Sequence, residues 1–530
     1  MKPLLQMVAA VSLSCFSSAL PAPVIISPAS VSMKITQTQQ FAASTIAGCT
    51  HTKIEWSADK GTISVTGLYM ASDAGLATIT ATPMYCPRHK GSVQVNVTAG
   101  APTTYPLART DHNIQQLPNP MPDWGGALGA GKTWANPAFP GTVYTRLSDT
   151  NTNLARTLQT ADSGEPQLFS TDGLHVIVRN TFSHNFIVGI DGSKTGVDSG
   201  YGSLGFTSHE PLQLFGLNGT QIRLLTVKPD WSGIASNVLV FDYATANCLG
   251  VGYKSTWHGT FTVSDDDLMF KTGFSNTGAQ GTGHLAVAWS AATGCFVYDS
   301  LAGTVSGPAG LIGSIDDGVN PLAVRFYQHE AGGSPTSKYS LVANTVHTEG
   351  GLPGCVVGPC LISEPYIWEI GTTHVRSCDI KCDGHSAKGK MLYTGKRYVS
   401  HSYDNADQPI IPMVIFPQGF PDQHGTAHNQ ATGAEPIFLV STDVTPVIPY
   451  PIWGYDEVIE IPSDGSMVIG RMGQTMNTGK SQYFICQNAV GVIAQDGHHL
   501  VITSDLGGNG ALGFEADGVT PRCDAFLLTF

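Results

Sequence analysis

The sequence has few charged residues and, after its first twenty-two positions, no long apolar run. Only 13% of its 530 residues are charged, and the formal net charge is −13. A surface of this sign repels nucleic acid and anionic membranes, because both carry negative charge themselves. No later segment is long and apolar enough to cross a bilayer. We therefore expect neither a nucleic-acid partner nor a membrane span.

Helix-forming stretches are also scarce, whereas 60 glycines and 32 prolines interrupt the chain. A polar turn with Asp-Gly or Asn-Gly, followed at once by a β-branched run, recurs as STDGLHVIV (170–178), LNGTQIRLL (217–225), PSDGSMVIG (462–470) and AQDGHHLVIT (494–503). Asp-Gly supplies the positive φ of a tight reversal, and the run behind it predicts a buried strand. Repeats of about fifty residues with two to four strands predict an all-β fold, a β-propeller of seven blades, with six or eight as alternatives.

The propeller is predicted to span residues 143–530. The phrase VYTRLSDT at 143–150 is expected to supply an outer strand that closes the ring against the C-terminal blade. A closed ring leaves no exposed sheet edge, which would keep so many strands soluble.

Residues 1–22 have a basic start, an apolar stretch and small residues before a cleavage point, which predicts a signal peptide and a secreted or cell-surface protein. Ten cysteines remain after Cys15 is removed, and an even number in an exported chain predicts disulfides. Adjacency in the predicted strands suggests five pairs: Cys49 with Cys86, Cys248 with Cys295, Cys355 with Cys360, Cys378 with Cys382, and Cys486 with Cys523. The alternative is a zinc site that uses the two close pairs.

Residues 23–99 alternate polar and apolar positions in short strands. The pattern of Ser27-Pro28, Gln40-Phe41, Trp56-Ser57, Gly67-Leu68-Tyr69 and Val93-Val95-Val97 resembles the bacterial Ig-like family. The resemblance implies a small β-sandwich, which in such proteins usually serves as a spacer or stalk.

Residues 100–142 are rich in proline and glycine and are predicted to be a connector. Within it, GALGAGKT at 126–133 satisfies the nucleotide-binding pattern GxxxxGKT. That loop needs a buried strand before it and a helix after it, yet prolines flank it on both sides. We therefore expect no nucleotide cofactor.

The chain contains seventeen histidines although few of its residues are charged. Several of these histidines lie in predicted loops beside glutamine or arginine. Imidazoles ligate metals or move protons near neutral pH. A histidine inside a blade is more often a hydrogen-bond partner between strands, the interpretation for His175, His184, His284 and His374. The candidates for a site are His385, His401, Tyr403, Gln423, His424, His428 and Arg471.

This set resembles, distantly, the propeller polysaccharide lyases of the oligogalacturonate and ulvan type. The resemblance implies that His385, Gln423, His424 and His428 hold a divalent metal (Mn, Ca or Zn). It also implies that His401 and Tyr403 move protons and that Arg471 neutralises the carboxylate of a uronate. The reaction would be β-elimination on an extracellular polysaccharide or cell-surface glycan, by a monomeric protein.

The sequence leaves a second function open. A non-catalytic extracellular propeller that binds a glycan or a protein, with the Ig-like module as a spacer, fits the same composition. Hydrolysis by paired carboxylates is less favoured, because no two acidic residues hold comparable pocket-facing positions. A GxSxG nucleophile motif is absent.

Overall fold

A computed structural model of the protein describes residues 24–29, 31–34, 38–44, 53–71, 75–84, 89–98, 105, 107–152, 158–159, 167–180, 184–255, 261–264, 266–277, 283–332, 337–344, 355–357, 365–377, 391–394, 397–400, 411–415, 423–427, 437–441, 453–461, 468–477, 491–506 and 511–530. The chain divides into two compact units, Met1–Ala101 and Pro102–Phe530. All the elements described below are β-strands. Among the described residues, no helix is long and apolar enough to cross a membrane.

The smaller unit consists of short strands in three sheets, ordered β2-β9-β8-β5, β3-β7-β6 and β1-β4. Its strands are β1 (Ile25–Ser27), β2 (Val31–Lys34), β3 (Thr38–Gln40), β4 (Ala42–Ser44), β5 (Ile54–Ala58), β6 (Thr62–Ile63), β7 (Leu68–Met70), β8 (Gly75–Pro83) and β9 (Gly91–Thr98). Alternate residues of β8 and β9 point into one core, which explains the period of two in the sequence. Gly67 has a φ of 87°, and a β-carbon there would lie 2.6 Å from the Phe41 carbonyl oxygen. The Gly67-Leu68-Tyr69 phrase therefore needs its glycine.

The larger unit begins with β10 (Thr133–Ala135) and β11 (Val143–Arg146), and most of the rest forms successive antiparallel sheets. Sheet 1 contains β12 (Leu158–Gln159), β13 (His175–Asn180), β14 (Asn185–Gly189) and β15 (Lys194–Ser199). Sheet 2 contains β16 (Ser203–Phe206), β17 (Gln213–Asn218), β18 (Gln221–Val227) and β19 (Ile234–Asp242). Sheet 3 contains β20 (Lys254–Ser255), β21 (Thr262–Val263), β22 (Phe270–Ser275), β23 (Leu285–Ser290), β24 (Gly294–Asp299), β25 (Thr304–Gly307) and β26 (Gly310–Ser314).

The second half continues in the same way. The short strand β27 (Arg325–Phe326) pairs with β30 (Cys355–Val357). Sheet 4 contains β28 (Gln328–Gly332), β29 (Tyr339–Asn344), β31 (Pro365–Glu369) and β32 (Val375–Ser377). Sheet 5 contains β33 (Met391–Thr394), β34 (Arg397–Ser400) and β35 (Ile411–Ile415). Sheet 6 contains β36 (Gln423–Ala427), β37 (Ile437–Ser441), β38 (Glu457–Ile461) and β39 (Gly470–Gln474). Sheet 7 contains β40 (Gly491–Ile493), β41 (His499–Ser504) and β42 (Asp524–Thr529), joined by β11 and then β10.

Buried apolar clusters join neighbouring sheets. One cluster combines residues of sheets 7, 1 and 2, a second those of sheets 6 and 7, a third those of sheets 2 and 3, and a fourth those of sheets 3 and 4. The first strand of sheet 6, β36, lies against the first strand of sheet 7, β40. Sheets that follow one another in sequence and pack side by side around an axis are the blades of a β-propeller. The predicted fold class is confirmed, while the count of seven blades stays a prediction.

The ring closes where the sequence predicts it. Strand β11 pairs antiparallel with β42, from Val143 opposite Thr529 to Arg146 opposite Phe526. One sheet is therefore built from both ends of the larger unit, which removes two free edges at once.

Two turns of the larger unit, at 170–175 and at 264–269, have the same hydrogen-bond pattern. The Ser170 hydroxyl donates to the Asp172 carboxylate, which accepts from the Leu174 amide, while the His175 amide donates to Ser170 Oγ. Ser264 and Asp266 repeat these bonds in sheet 3. Short polar side chains therefore replace the backbone partners that a reversal lacks.

Residues 107–142 pack as part of the larger unit, which departs from the connector predicted for 100–142. Trp124 is 2% exposed and packs edge-on against Phe526, with ring centroids 5.3 Å apart. The Arg109 backbone pairs with Arg471 of β39. Proline and glycine keep this segment irregular. The aromatic and charged side chains between them pack it against the sheets. We call residues 107–142 the strap.

The predicted disulfide between Cys248 and Cys295 is confirmed. Cys523 is also disulfide-bonded, and its predicted partner Cys486 lies outside the described residues.

Candidate functional site

The predicted site residues fall into three groups. His385, His401, Tyr403 and His428 lie outside the described residues, so their roles stay predictions. Gln423 and His424 are the first two residues of β36, for which the structure describes the backbone. Arg471 lies in β39 and is described in full.

Strand β36 is the first strand of sheet 6 and lies at one edge of that sheet. It contacts β40, the first strand of sheet 7. First strands of neighbouring blades meet around the central channel of a propeller. The backbone of Gln423 and His424 therefore lies on a channel-side strand, with His424 paired to Val440 of β37.

The structure does not bring Arg471 to that strand. The order β36-β37-β38-β39 puts β36 and β39 at opposite edges of sheet 6. Three inter-strand spacings amount to roughly 14 Å. Arg471 and His424 therefore belong to different sides of the blade, and the sequence pattern could not show this because it does not give the order of the strands.

Arg471 is a fully buried member of an ion pair. Its Nε and Nη2 atoms donate to the two carboxylate oxygens of Glu457 at 2.7 and 2.5 Å, and both side chains are 1% exposed or less. Its Nη1 donates to the backbone and side-chain oxygens of Asp111 in the strap. Burial raises the pKa of the Glu457 carboxyl, and the bonds from Arg471 partly offset this. A substrate carboxylate would have to displace these partners to reach the guanidinium.

A second arginine extends this cluster. Arg109 forms a two-point bond with Asp111, and the guanidinium groups of Arg109 and Arg471 lie 5.5 and 5.9 Å from the centre of the Phe139 ring. The Arg109 side chain holds the pKa of Asp111 well below its ordinary value. Charge-assisted bonds and cation–π contacts of this kind bind the strap to β39. Sequence reasoning missed this role, although Glu457 before the PSDGSMVIG turn and Arg471 after it place opposite charges on the two strands that the turn joins.

The loop 126–133, which matches a nucleotide-binding pattern, contacts groups of both charges in the protein. The Gly126 carbonyl and the preceding Trp124 carbonyl accept from Arg146 Nη1, while the Ala130 amide donates to the Asp149 carboxylate. Strand β10 follows the loop where phosphate binding would need a helix N-terminus. Lys132, which would contact phosphate, donates to Asp123 at 2.7 Å. The absence of a nucleotide cofactor stays a prediction.

Arg146 itself has all its donors engaged. Its Nε bonds the Ser148 carbonyl, and Nη2 bonds the Leu512 carbonyl and the Asp524 carboxylate, the latter at 2.6 Å. Asp524 also accepts from Ser148 and Arg522, and Arg146 and Asp524 are both fully buried. The group ties β11, the strap and β42 together at the ring closure.

Two of the four histidines interpreted as hydrogen-bond partners between strands, His184 and His374, hydrogen-bond carboxylates, whereas the interpretation is wrong for the His175 ring, which stacks on Trp231. His184 lies 3.2 Å from Asp198, and His374 lies 2.5 Å from Asp316. Among the described residues, no three His, Cys, Asp or Glu side chains lie together in a way that could hold a metal ion. The metal set at His385, Gln423, His424 and His428 stays a prediction.

Known proteins resemble the chain in part. Residues 22–84 match the model of the bacterial Ig-like domain (group 2). No curated protein matches the chain. Among solved structures, the Dos1 propeller is 12% identical over 75% of this chain and 90% of its own, with a TM-score of 0.34. A Trichoderma reesei carbohydrate-active enzyme of family AA12 is 10% identical over 76% and 99%, with a TM-score of 0.34.

A further similar structure is the Cps50 (Swd1) β-propeller domain of Myceliophteria thermophila, which is 11% identical over 45% of this chain and 79% of its own, with a TM-score of 0.23. These similarities are too weak to bear on function, and the fold rests on the sheet topology described above. The chain thus combines a segment similar to bacterial Ig-like domains of group 2 with a β-propeller.

Proposed function

We propose that the protein is an extracellular carbohydrate-active enzyme, a polysaccharide lyase that cleaves uronate-containing glycans by β-elimination at the mouth of the propeller channel. The observation that carries the proposal is the place of β36. Gln423 and His424 lie on the strand that meets β40 around the axis. Loops from several blades converge there, and this is where propellers bind ligands.

The disulfide between Cys248 and Cys295 supports an extracellular location, since such bonds persist in oxidising surroundings. The net charge of −13 does not oppose an acidic substrate if the site itself is positive.

The chemistry needs a base, an acid and charge stabilisation. We assign His401 to removal of the proton α to the uronate carboxylate, and Tyr403 to protonation of the departing glycosidic oxygen. His385, Gln423, His424 and His428 would hold a divalent metal, which when bound stabilises the negative charge that develops on the carboxylate. Imidazole nitrogens and an amide oxygen suit manganese or zinc.

The proposal gives Arg471 no role in neutralising the uronate carboxylate, although its residue type predicts that role. Its partners are Glu457 and Asp111, and it lies on the strand furthest from β36. We infer that Arg471 stabilises the strap and does not contact the substrate.

The test is incubation of the full-length protein with pectic, ulvan and alginate oligomers, with and without divalent metal. We expect an absorbance increase from the unsaturated uronate product, lost in His424→Ala and retained in His184→Gln. The control residue His184 is exposed and pairs with Asp198 inside sheet 1. Binding of an oligomer without product would instead identify a non-catalytic glycan-binding propeller. Turnover unaffected by His424→Ala would reject the site.

A further inference from the structure

Histidines recur where neighbouring sheets of the larger unit meet. His209 of sheet 2 lies 3.9 Å from Asp267 of sheet 3, and His374 of sheet 4 bonds Asp316, which follows sheet 3. His175 of sheet 1 stacks on Trp231 of sheet 2. This third contact differs from the others, because its partner is an aromatic ring and not a carboxylate.

The stack is close and its backbone is fixed on both sides. The ring centroids of His175 and Trp231 lie 3.6 Å apart with an interplanar angle of 17°. His175 exchanges hydrogen bonds with Ser170 of the preceding turn through its amide and its carbonyl. Trp231 lies at the tip of the β18–β19 hairpin with a φ of 56°, a conformation that a bulky residue rarely adopts.

The hairpin also bonds to sheet 1 directly. The Gly196 amide of β15 donates to the Trp231 carbonyl at 2.9 Å. A β-carbon on Gly196 would lie 2.4 Å from the Ser232 carbonyl, so the two backbones are in close contact. Trp231 therefore contributes to the contact between sheets 1 and 2, beside the buried apolar cluster that the two sheets share.

The environment of His175 suits the neutral imidazole. Its Nδ1 atom is buried and has no hydrogen-bond partner among the described residues. Protonation would place an N–H at that atom with no acceptor, which is costly in a buried position. Asp172 and Asp191 favour the charged ring, and Lys228 and Asp230 flank Trp231 on the hairpin. Burial outweighs the two aspartates and lowers the pKa of His175 below its ordinary value of 6.5.

We propose that the seam between sheets 1 and 2 is an acid-sensitive latch, closed while His175 is neutral and loosened when the imidazole takes up a proton. A group whose pKa is lowered on folding contributes its full stabilisation above the ordinary value of 6.5. The contribution is lost as the pH falls from there towards the folded pKa. The release is local, because the Arg146–Asp524 pair at the ring closure contains no histidine.

Amide hydrogen exchange of the full-length protein at about pH 7.5 and about pH 5, on either side of the imidazole range, tests the latch. The Gly196 amide reports on the seam, and the Leu147 amide, bonded to the Ala525 carbonyl, reports on the ring closure. After correction for intrinsic rates, we expect Gly196 to lose protection at the lower pH, because burial lowers the pKa of His175 and protonation there weakens the seam. Leu147 should keep its protection.

His175→Phe keeps an aromatic ring against Trp231 but cannot titrate. We expect its Gly196 protection to be independent of pH, whereas the control His184→Gln behaves like the wild type. An equal loss at Gly196 and Leu147 in the wild type would show general unfolding and overturn the proposal, even if His175→Phe does not fold. A loss at Gly196 that persists in His175→Phe would overturn it as well.

Discussion

At the residue scale, the most informative side chain is Arg471, because its type predicts substrate binding and its surroundings indicate a structural role. The guanidinium is fully buried and held at two points by Glu457. Breaking such a pair on one side leaves an uncompensated buried charge, whereas replacing both partners with apolar residues does not.

We therefore expect Arg471→Met to lower the free energy of unfolding by about 3–5 kcal/mol. The double variant Arg471→Met, Glu457→Leu should recover most of this loss. Arg223→Met is a matched control, since Arg223 bonds the neutral side chains Gln221 and Asn237 in a partly exposed site. Denaturant unfolding monitored by tryptophan fluorescence gives the comparison. A single variant as stable as the wild type would contradict the structural role.

At the element scale, the structure depends on the pairing of β11 with β42 and on the buried Arg146–Asp524 pair beneath it. The guanidinium of Arg146 contacts four separate segments of chain, which a lysine ammonium cannot do because it lacks the planar fork of donors.

We expect Arg146→Lys to destabilise the larger unit by about 1–3 kcal/mol for each buried acceptor that it leaves without a donor, and to increase exchange at the Leu147 amide. Lys132→Arg should have no measurable effect, because Lys132 lies in the loop 126–133 with an exposed side chain. Thermal unfolding and hydrogen exchange check both variants. Retention of the wild-type midpoint in Arg146→Lys would show that strand pairing alone closes the ring.

The Cys248–Cys295 disulfide is a second constraint on elements distant in sequence, with a sequence separation of 47 between its two cysteines. Closing a loop of this size restricts the unfolded chain, so we expect Cys248→Ser, Cys295→Ser to lower the unfolding free energy by about 2–4 kcal/mol. Reduction of the wild type should lower the unfolding free energy by at least as much, because it also breaks the disulfide of Cys523. No difference between oxidised and reduced wild type would contradict the expectation.

At the scale of the whole molecule, local sequence patterns predicted the fold. They could not predict the contacts between residues that are distant in the sequence. The Asp-Gly turn at 172–173 and the closing strand within the predicted 143–150 follow from short stretches of sequence, and the structure confirms both, as it confirms the predicted Cys248–Cys295 bond. The strap could not be recognised, because its contacts join Arg109 to Arg471 and Trp124 to Phe526 across more than three hundred residues. For the same reason residue type alone grouped Arg471 with His424, although the sheet order separates them.

The metal content of the purified full-length protein tests the central claim, that the channel-side strand β36 contributes to a metal-dependent lyase site. We predict stoichiometric divalent metal in the wild type and in His184→Gln, and its loss in His424→Ala without a change in unfolding midpoint. A wild-type protein free of metal after purification from metal-supplemented medium, or a His424→Ala protein that retains the full amount, would contradict the account.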